Sequence, residues 1–373
     1  MTPLVIGLDI GGANLKLATA EGEAVSQPFP LWKYPHQLGE SLFNLVVELL
    51  RSCGKNEEAL RSDQVTLAVT MTGELCDCFT NKQQGVEHIL SSVRRFFPNQ
   101  ELKIWAIGHG FLDPTKAMNY PLAVAASNWH ALATYLGRFN SSSSILIDIG
   151  STTTDIIPIH QHQPRSIGLN DIDRLHYQEL IYTGVRRTPI CAFAYPHLTA
   201  EWFATSADLY VLLDQLPENE KDLDTPDGKP LTKPFCHARL ARMLGGDADL
   251  ISWKSIIDFA KSLKECQKKQ IIQGLDRLWQ RYADPNDVLY VGNYLGNDVG
   301  NDDRGSANPP IKNVIVSGAG DWLAREIWQQ WCQSHPDLQS VPIQEFSQLF
   351  GEKVSQAACA FAVAQLYLDR SPQ

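Results

Sequence analysis

Several features that would assign a role at once are missing from this chain. No basic leader followed by an apolar core opens it: residues 1–20 read MTPLVIGLDIGGANLKLATA, with an aspartate inside the apolar run, so no secretory signal is expected. No stretch approaches the roughly 20 uninterrupted apolar residues that a membrane-crossing helix needs. The expected location is therefore the cytoplasm, with no membrane partner. Positive charge is also short, since 32 Lys+Arg against 42 Asp+Glu leave a formal charge of −10. A nucleic acid's phosphates would be repelled by such a surface, and the scattered tryptophans form no platform for stacking bases. Nucleic acid is not an expected partner. Among eight cysteines only Cys76 and Cys78 are close-set, and without a second Cys or His pair they read as reduced thiols, not half of a zinc site.

What remains is ordinary globular composition, 44% hydrophobic and 20% charged over 373 residues, long enough for two cores. Two segments share one plan. LVIGLDIGGANLKLATAEG (4–22) is an apolar strand, an Asp-Ile-Gly-Gly turn and a returning strand; SILIDIGSTTTDIIPIHQ (144–161) repeats it with a Ser/Thr run after the Asp-Ile-Gly. Each reads as a β-hairpin. Their separation by about one domain length suggests an internal duplication.

Strands and helices alternate around these hairpins. Helices are expected at 38–50, 85–96, 124–136, throughout 236–283, at 321–332 and at 354–368, with strands at 65–71, 102–108 and 313–317. The Pro-rich stretch 217–234 and the Asn/Asp/Gly-rich stretch 284–310 read as long loops. An α/β fold follows. It divides into lobe one, residues 1–140, and lobe two, residues 141–351, with the terminal helix in 352–373 able to pack back on lobe one.

The chemistry sits in the turns. Gly11 and Gly12 follow Asp9 at a strand end and let backbone N–H groups approach a phosphate without a Cβ in the way. A carboxylate repels phosphate, but Asp9 can hold Mg²⁺, which bridges to phosphate oxygens. Lys16 on the returning strand places a compact positive charge beside the same phosphate. Asp148 repeats the arrangement, followed by Gly150 and the donors Ser151, Thr152, Thr153 and Thr154; Asp155 can position a water or polarise a substrate group. Gly318 and Gly320 form a third tight turn suited to a nucleotide or diphosphate. A lone Asp-x-Gly-Gly turn is more often only a hairpin; three such parts in series are far more specific.

Other candidates are less sharp. Thr72 and Glu74 end a buried-type strand facing the cleft, where Glu74 is a candidate base for a phenol or amide proton; its bland alternative is a helix cap. Arg186 and Arg187, in YTGVRRTP, either clamp a carboxylate or phosphate or pair with surface carboxylates such as Glu179 or Asp173. His109 reads as a turn histidine, Asn128-Trp129-His130 as the start of a lobe-one helix, and Arg239 and Arg242 as solvated or structural.

DIGGANLK, DIGSTTTD and VSGAG in series resemble the two phosphate motifs and the adenosine motif of the actin/Hsp70/sugar-kinase ATPase superfamily, over nearly the whole chain. Within it, AVTMTGEL (68–75), IDIGSTTTDIIPI (147–159) and IYTGVRRTP (181–189) are similar to the hydantoinase A/oxoprolinase group, in particular its short branch associated with tetrahydromethanopterin-linked C1 transfer and methanofuran synthesis. The resemblance implies two RNase H-like lobes around a cleft. It places Asp9, Gly11, Gly12, Asn14 and Lys16 in the first phosphate motif, Asp148, Gly150 and Thr152–Thr154 in the second, and Gly318 and Gly320 in the adenosine motif. Ala13-Asn14 stands where many relatives carry a threonine hydroxyl, and Ser151 where many carry glycine. ATP is thus one possible cofactor beside Mg²⁺, and a substrate diphosphate would use the same cradle. The implied activity is a transferase displacing diphosphate from a furan-methyl carbon with a phenol. The alternatives are an ATP-dependent cyclic amide hydrolase and a non-catalytic ATP-binding clamp.

Overall fold

The computed structural model describes residues 4–61, 65–139, 143–283 and 311–369; the loop expected at 284–310 lies outside them. In lobe one the chain runs through β1 (Leu4–Ile10), β2 (Asn14–Thr19), β3 (Ala24–Pro28), α1 (Leu38–Ser52), β4 (Val65–Met71), α2 (Lys82–Phe96), β5 (Glu101–Ala106), β6 (Gly110–Leu112) and α3 (Asn128–Gly137). Lobe two contains β7 (Ser143–Ile149), β8 (Thr154–His160), β9 (Gln163–Pro164), α4 (Asp171–His176), β10 (Leu180–Ile181), α5 (Ser206–Leu212), α6 (Lys233–Met243), α7 (Trp253–Ala283), β11 (Ile311–Ser317), α8 (Asp321–Trp331) and β12 (Ile343–Glu345). The last helix is α9 (Ala358–Leu368).

The two sheets have one topology. Lobe one orders its strands β3-β2-β1-β4-β5-β6, and lobe two β10-β8-β7-β11-β12, with β9 beside β8. In each, the leading hairpin is antiparallel and the next two strands join in parallel. This is the RNase H-like order, found twice. Buried on both faces, β1 and β4 carry continuous apolar runs, LVIGLDI and VTLAVTM, as interior parallel strands do.

Three apolar clusters hold the layers. α1 buries Leu38, Leu42, Leu45, Val46, Leu49 and Leu50 on one face of lobe one, a helical stripe; α5–α8 cover the outer face of lobe two. The third cluster lies between the sheets, where α3 and α9 meet Val5 and Ala18 from one side and Leu146, Ile157 and Ile315 from the other. α9 is apolar nearly all round because it is buried nearly all round. At Gly7 a Cβ would fall 1.8 Å from the carbonyl oxygen of Ala360, so only glycine lets β1 and α9 approach this closely.

Four helices differ from the sequence expectation; the one expected over 124–136 starts only at Asn128, because Ala125 is extended and Ala126 has φ +48°. α2 starts at Lys82 because Asn81 caps it, accepting from the Gln84 amide. The run expected through 236–283 breaks between α6 and α7, where Gly245 has φ +73° and the Asp247 side chain accepts from the Asp249 and Leu250 amides, a turn that competes with helix. The terminal helix divides into Glu352–Ser355 and α9. The Pro-rich loop is tied down through Arg186–Asp222 at 2.6 Å, Arg187–Asp224 at 3.1 Å and Arg239–Asp227 at 2.9 Å. Arg239 is fully buried and also pairs with Asp208; its role is structural.

Candidate active site

Both hairpin turns open on one cavity of about 370 Å³ between the lobes, within the size range of small-ligand sites. The first turn follows directly from the β1–β2 register, which sets Asp9 opposite Lys16. Gly11 donates to the Asn14 carbonyl to close the turn, while the carbonyls of Gly12 and Ala13 accept from the amides of Leu31 and Phe29, each at 2.9 Å. The second turn repeats this: Gly150 donates to the Thr153 carbonyl at 2.8 Å, the Gly150 carbonyl accepts from Val185, and the Ser151 carbonyl accepts from Arg186 and Arg187. Carbonyls tied outward remove negative dipoles from the inner side, where N–H groups can then meet an anion.

Asp9, Lys16, Asp148, Gly11, Gly12, Asn14, Gly150, Ser151, Thr152 and Thr153 all line this cavity, as do Thr72, Glu74, Asp155 and Arg187. Asp9 is 6% exposed and its Oδ1 is buried without a partner. Burial pushes its carboxyl up to about 6, with Lys16 opposing. Asp148 is pushed up to about 7 by burial and by Asp155, with Lys16 opposing and Asp9 adding to the rise. The two carboxylates and the lysine thus form one electrostatic group. Glu74 is 1% exposed, neither oxygen has a well-aligned hydrogen-bond partner, and burial pushes it up to about 7, opposed by its own backbone amide, by Lys82 and by the Ala126 amide. Among the described residues no group of three or more His, Cys, Asp or Glu side chains is arranged to hold a metal.

Other expected residues fall elsewhere. Thr154 does not line the cavity: it is fully buried and donates its hydroxyl to the Thr183 carbonyl at 2.7 Å, because strand alternation turns it away from Thr153. Arg186 is likewise outside, bonded to Asp222 at 2.6 Å, whereas Arg187 reaches the rim and stacks on Trp32 of lobe one at 4.9 Å. TGVRRTP works chiefly through its backbone. A Cβ on Gly184 would lie 2.5 Å from the Gly150 carbonyl oxygen, so this segment is a close buttress of the second turn. Asp155 is held by Arg174 at 2.8 Å, which leaves it a positioning role more than a free one. Gly318 and Gly320 are not among the cavity-lining residues; Gly318, at φ +87°, packs against the Ile149 backbone and the Asp148 carboxylate.

The sequence reading missed Arg174, Tyr182, Trp32 and Cys359, and placed Trp129 in a helix without a site role; all five line the cavity. The Arg174 guanidinium lies 3.9 Å from the Trp129 ring centre and is 1% exposed. Nothing local marks this arginine, since GLNDIDRL reads as part of an irregular stretch. Cys359 reaches the cavity floor only because α9 enters between the sheets.

A family model for hydantoinase/oxoprolinase matches residues 65–331. The chain belongs to the hydantoinase/oxoprolinase family. Within that family it is 34% identical over 377 residues to a Methanocaldococcus jannaschii protein named (4-{4-[2-(gamma-L-glutamylamino)ethyl]phenoxymethyl}furan-2-yl)methanamine synthase, covering 98% of both chains. A Methanococcus vannielii protein of the same name is 26% identical over 242 residues, covering 63% of this chain and 95% of the relative. With relatives named as synthases, the chain is an enzyme. Of solved structures, an archaeal actin homolog, Ta0583, is similar at 13% identity and a TM-score of 0.46, covering 99% and 100% of the two chains. So weak a likeness adds nothing to what the strand order shows. No helix among the described residues is long and apolar enough to cross a membrane.

Proposed function

We propose that the enzyme is a transferase that joins a phenol oxygen to a furan-methyl carbon and releases diphosphate, a step of methanofuran-type cofactor synthesis in the cytoplasm. The observation that carries this reading is the meeting of two anion-accepting turns, Lys16, and an unpartnered buried glutamate in one cavity. The relatives' name, a phenoxymethyl ether of a furan bearing an amine, supplies the organic part.

The turn amides, Ser151, Thr152, Thr153, the Asn14 amide and Lys16 would bind the diphosphate and meet the charge that grows on it as it leaves. The aryl oxygen forms the new C–O bond; the bond from the furan-methyl carbon to the diphosphate oxygen breaks, its electron pair leaving with that oxygen. Glu74 takes the phenol proton. With its carboxyl near 7, Glu74 is half ionised at neutral pH, the useful range for a base. The residues fit a divalent cation: Asp9 Oδ1 is buried and unpartnered, and burial and the like charges of Asp155 and Asp9 push the Asp148 carboxyl up to about 7. Asp9 and Asp148 would hold Mg²⁺, which when bound neutralises phosphate oxygens. Thr72 and Arg187 line the substrate end.

The test is to incubate the protein with Mg²⁺, an aminomethyl-furan-methyl diphosphate and a tyramine-type phenol. Ether and diphosphate formed in equal amounts are expected; no diphosphate release overturns the reading. The family match favours one second reading, an ATP-dependent cyclic amide hydrolase. Phosphate release from ATP that depends on a cyclic amide would replace the first reading with that one.

A further inference from the structure

The two anion-accepting turns belong to different lobes, so their spacing depends on how the lobes sit together and not on either hairpin alone. Beneath the cavity that arrangement is fixed by packing, where α3 and α9 lie between the sheets. Across the cavity itself it can be fixed only by side chains that reach from one lobe to the other. The Lys82–Asp171 ion pair at 2.7 Å is one such contact, but it joins α2 to α4 and not the segments that brace the turns.

A second contact joins those segments directly. In lobe one the Leu31 amide donates to the Gly12 carbonyl at 2.9 Å, and Trp32 is the next residue. Leu31 is fully buried and packs so closely on Gly73 that a Cβ there would fall 2.7 Å from its side chain. The Lys33 and Tyr34 amides both donate to the Pro30 carbonyl, which closes a turn around Trp32. In lobe two the Arg187 amide donates to the Ser151 carbonyl at 2.8 Å. The Arg187 guanidinium lies 4.9 Å from the centre of the Trp32 ring, within reach of a cation–π attraction, and its Nη1 bonds Asp224 at 3.1 Å. Trp32 and Arg187 both line the cavity. Short contacts therefore run without a break from Gly12 through Leu31, Trp32 and Arg187 to Ser151.

A ligand held by one turn is indifferent to the distance between the two. A ligand that meets both binds more tightly when that distance is set beforehand, because binding then no longer carries the cost of fixing it. A single phosphate is small enough to be satisfied by one turn. A diphosphate presents a phosphoryl group to each.

We infer that Trp32 and Arg187 form a clasp that sets the spacing of the two turns, and that this clasp makes the site prefer a diphosphate over a single phosphate. In this they are positioning residues, acting through the turns that their own segments brace. The inference deepens the transferase reading and rests on it for placing a diphosphate at the turns. Its test is the binding of inorganic ions, separable from turnover. By calorimetry in Mg²⁺, the wild-type protein should bind inorganic diphosphate about tenfold more tightly than inorganic phosphate. Trp32→Ala should weaken diphosphate binding about fivefold and leave phosphate binding unchanged, which also shows that the variant folds. Trp32→Tyr, which keeps an aromatic face without the indole N–H, should keep the wild-type preference. A preference that survives intact in Trp32→Ala overturns the inference, since Arg187 would then serve the anion without the ring. Equal weakening of both ions overturns it too, as does a loss in Trp32→Tyr as large as in Trp32→Ala. Wild-type protein that binds no diphosphate removes the transferase reading and the clasp together. The expected change in preference without diphosphate release from a furan substrate keeps the clasp and removes the reaction.

Discussion

The two lobes hold the same hairpin by different means. In lobe one the turn carbonyls are tied by Phe29 and Leu31, only about one strand further along the chain, so the brace is local. In lobe two they are tied by 185–187, and that segment is locked from beneath. Gln267 on α7 donates to the Thr183 hydroxyl and the Gly184 carbonyl, each at 2.9 Å, and Thr188 exchanges hydrogen bonds with Gly184. The same turn geometry thus rests on a distant helix in one lobe and on its own neighbours in the other.

The largest test of this comparison is removal of the paired carboxylates. Asp9→Asn and Asp148→Asn should each lower diphosphate release by about 10³-fold; a loss confined to one of them would show that the lobes do not share a ligand. Next, Glu74→Gln, which belongs to lobe one alone, should lower kcat about 10²-fold. In the wild type, kcat should rise with pH through about 7, where Glu74 ionises, and this rise should vanish in the variant.

Glycine substitutions separate the braces more finely. A Cβ on Gly184 meets the backbone of Gly150, Ser151 and Thr152 within 2.6 Å, whereas one on Gly12 meets only the Cys76 thiol at 2.8 Å. Gly184→Ala should therefore cut kcat about tenfold and Gly12→Ala severalfold less, as steady-state kinetics would reveal; the reverse order would place the tighter constraint in lobe one.

The smallest effect is on stability. Asp148 holds its proton up to about pH 7 in the fold, against an ordinary value of 3.8. Between those values the unfolded chain binds fewer protons than the native one, so stability falls as pH rises through that window and the full loss is present above it. Asp148→Asn should melt a few degrees higher than wild type at pH 8 and the same at pH 4, by calorimetry without added metal.

Much of this was legible in the sequence because it is local. Asp9-Gly11-Gly12 and Asp148-Gly150 announce themselves by strand, acid and glycine in a fixed order, and β4 by an unbroken apolar run. The misses come from distance along the chain. Thr154 looked like its neighbours until strand alternation turned it inward to Thr183. Arg174 gave no sign within an irregular stretch, since only the fold sets it against Trp129 of the other lobe. Cys359 gave no sign in an alanine-rich helix, since only tertiary packing carries that helix beneath the two acids.

The wedge of α9 between the sheets sets an order on biogenesis. Gln365 bonds the Ala20 carbonyl at 2.7 Å, and Cys359 supplies part of the cavity floor. During synthesis both hairpins leave the ribosome long before α9 does, so a nascent chain carries both acids with no floor beneath them. A chain lacking α9 would lack that floor and would leave the inner apolar faces of both sheets open to association.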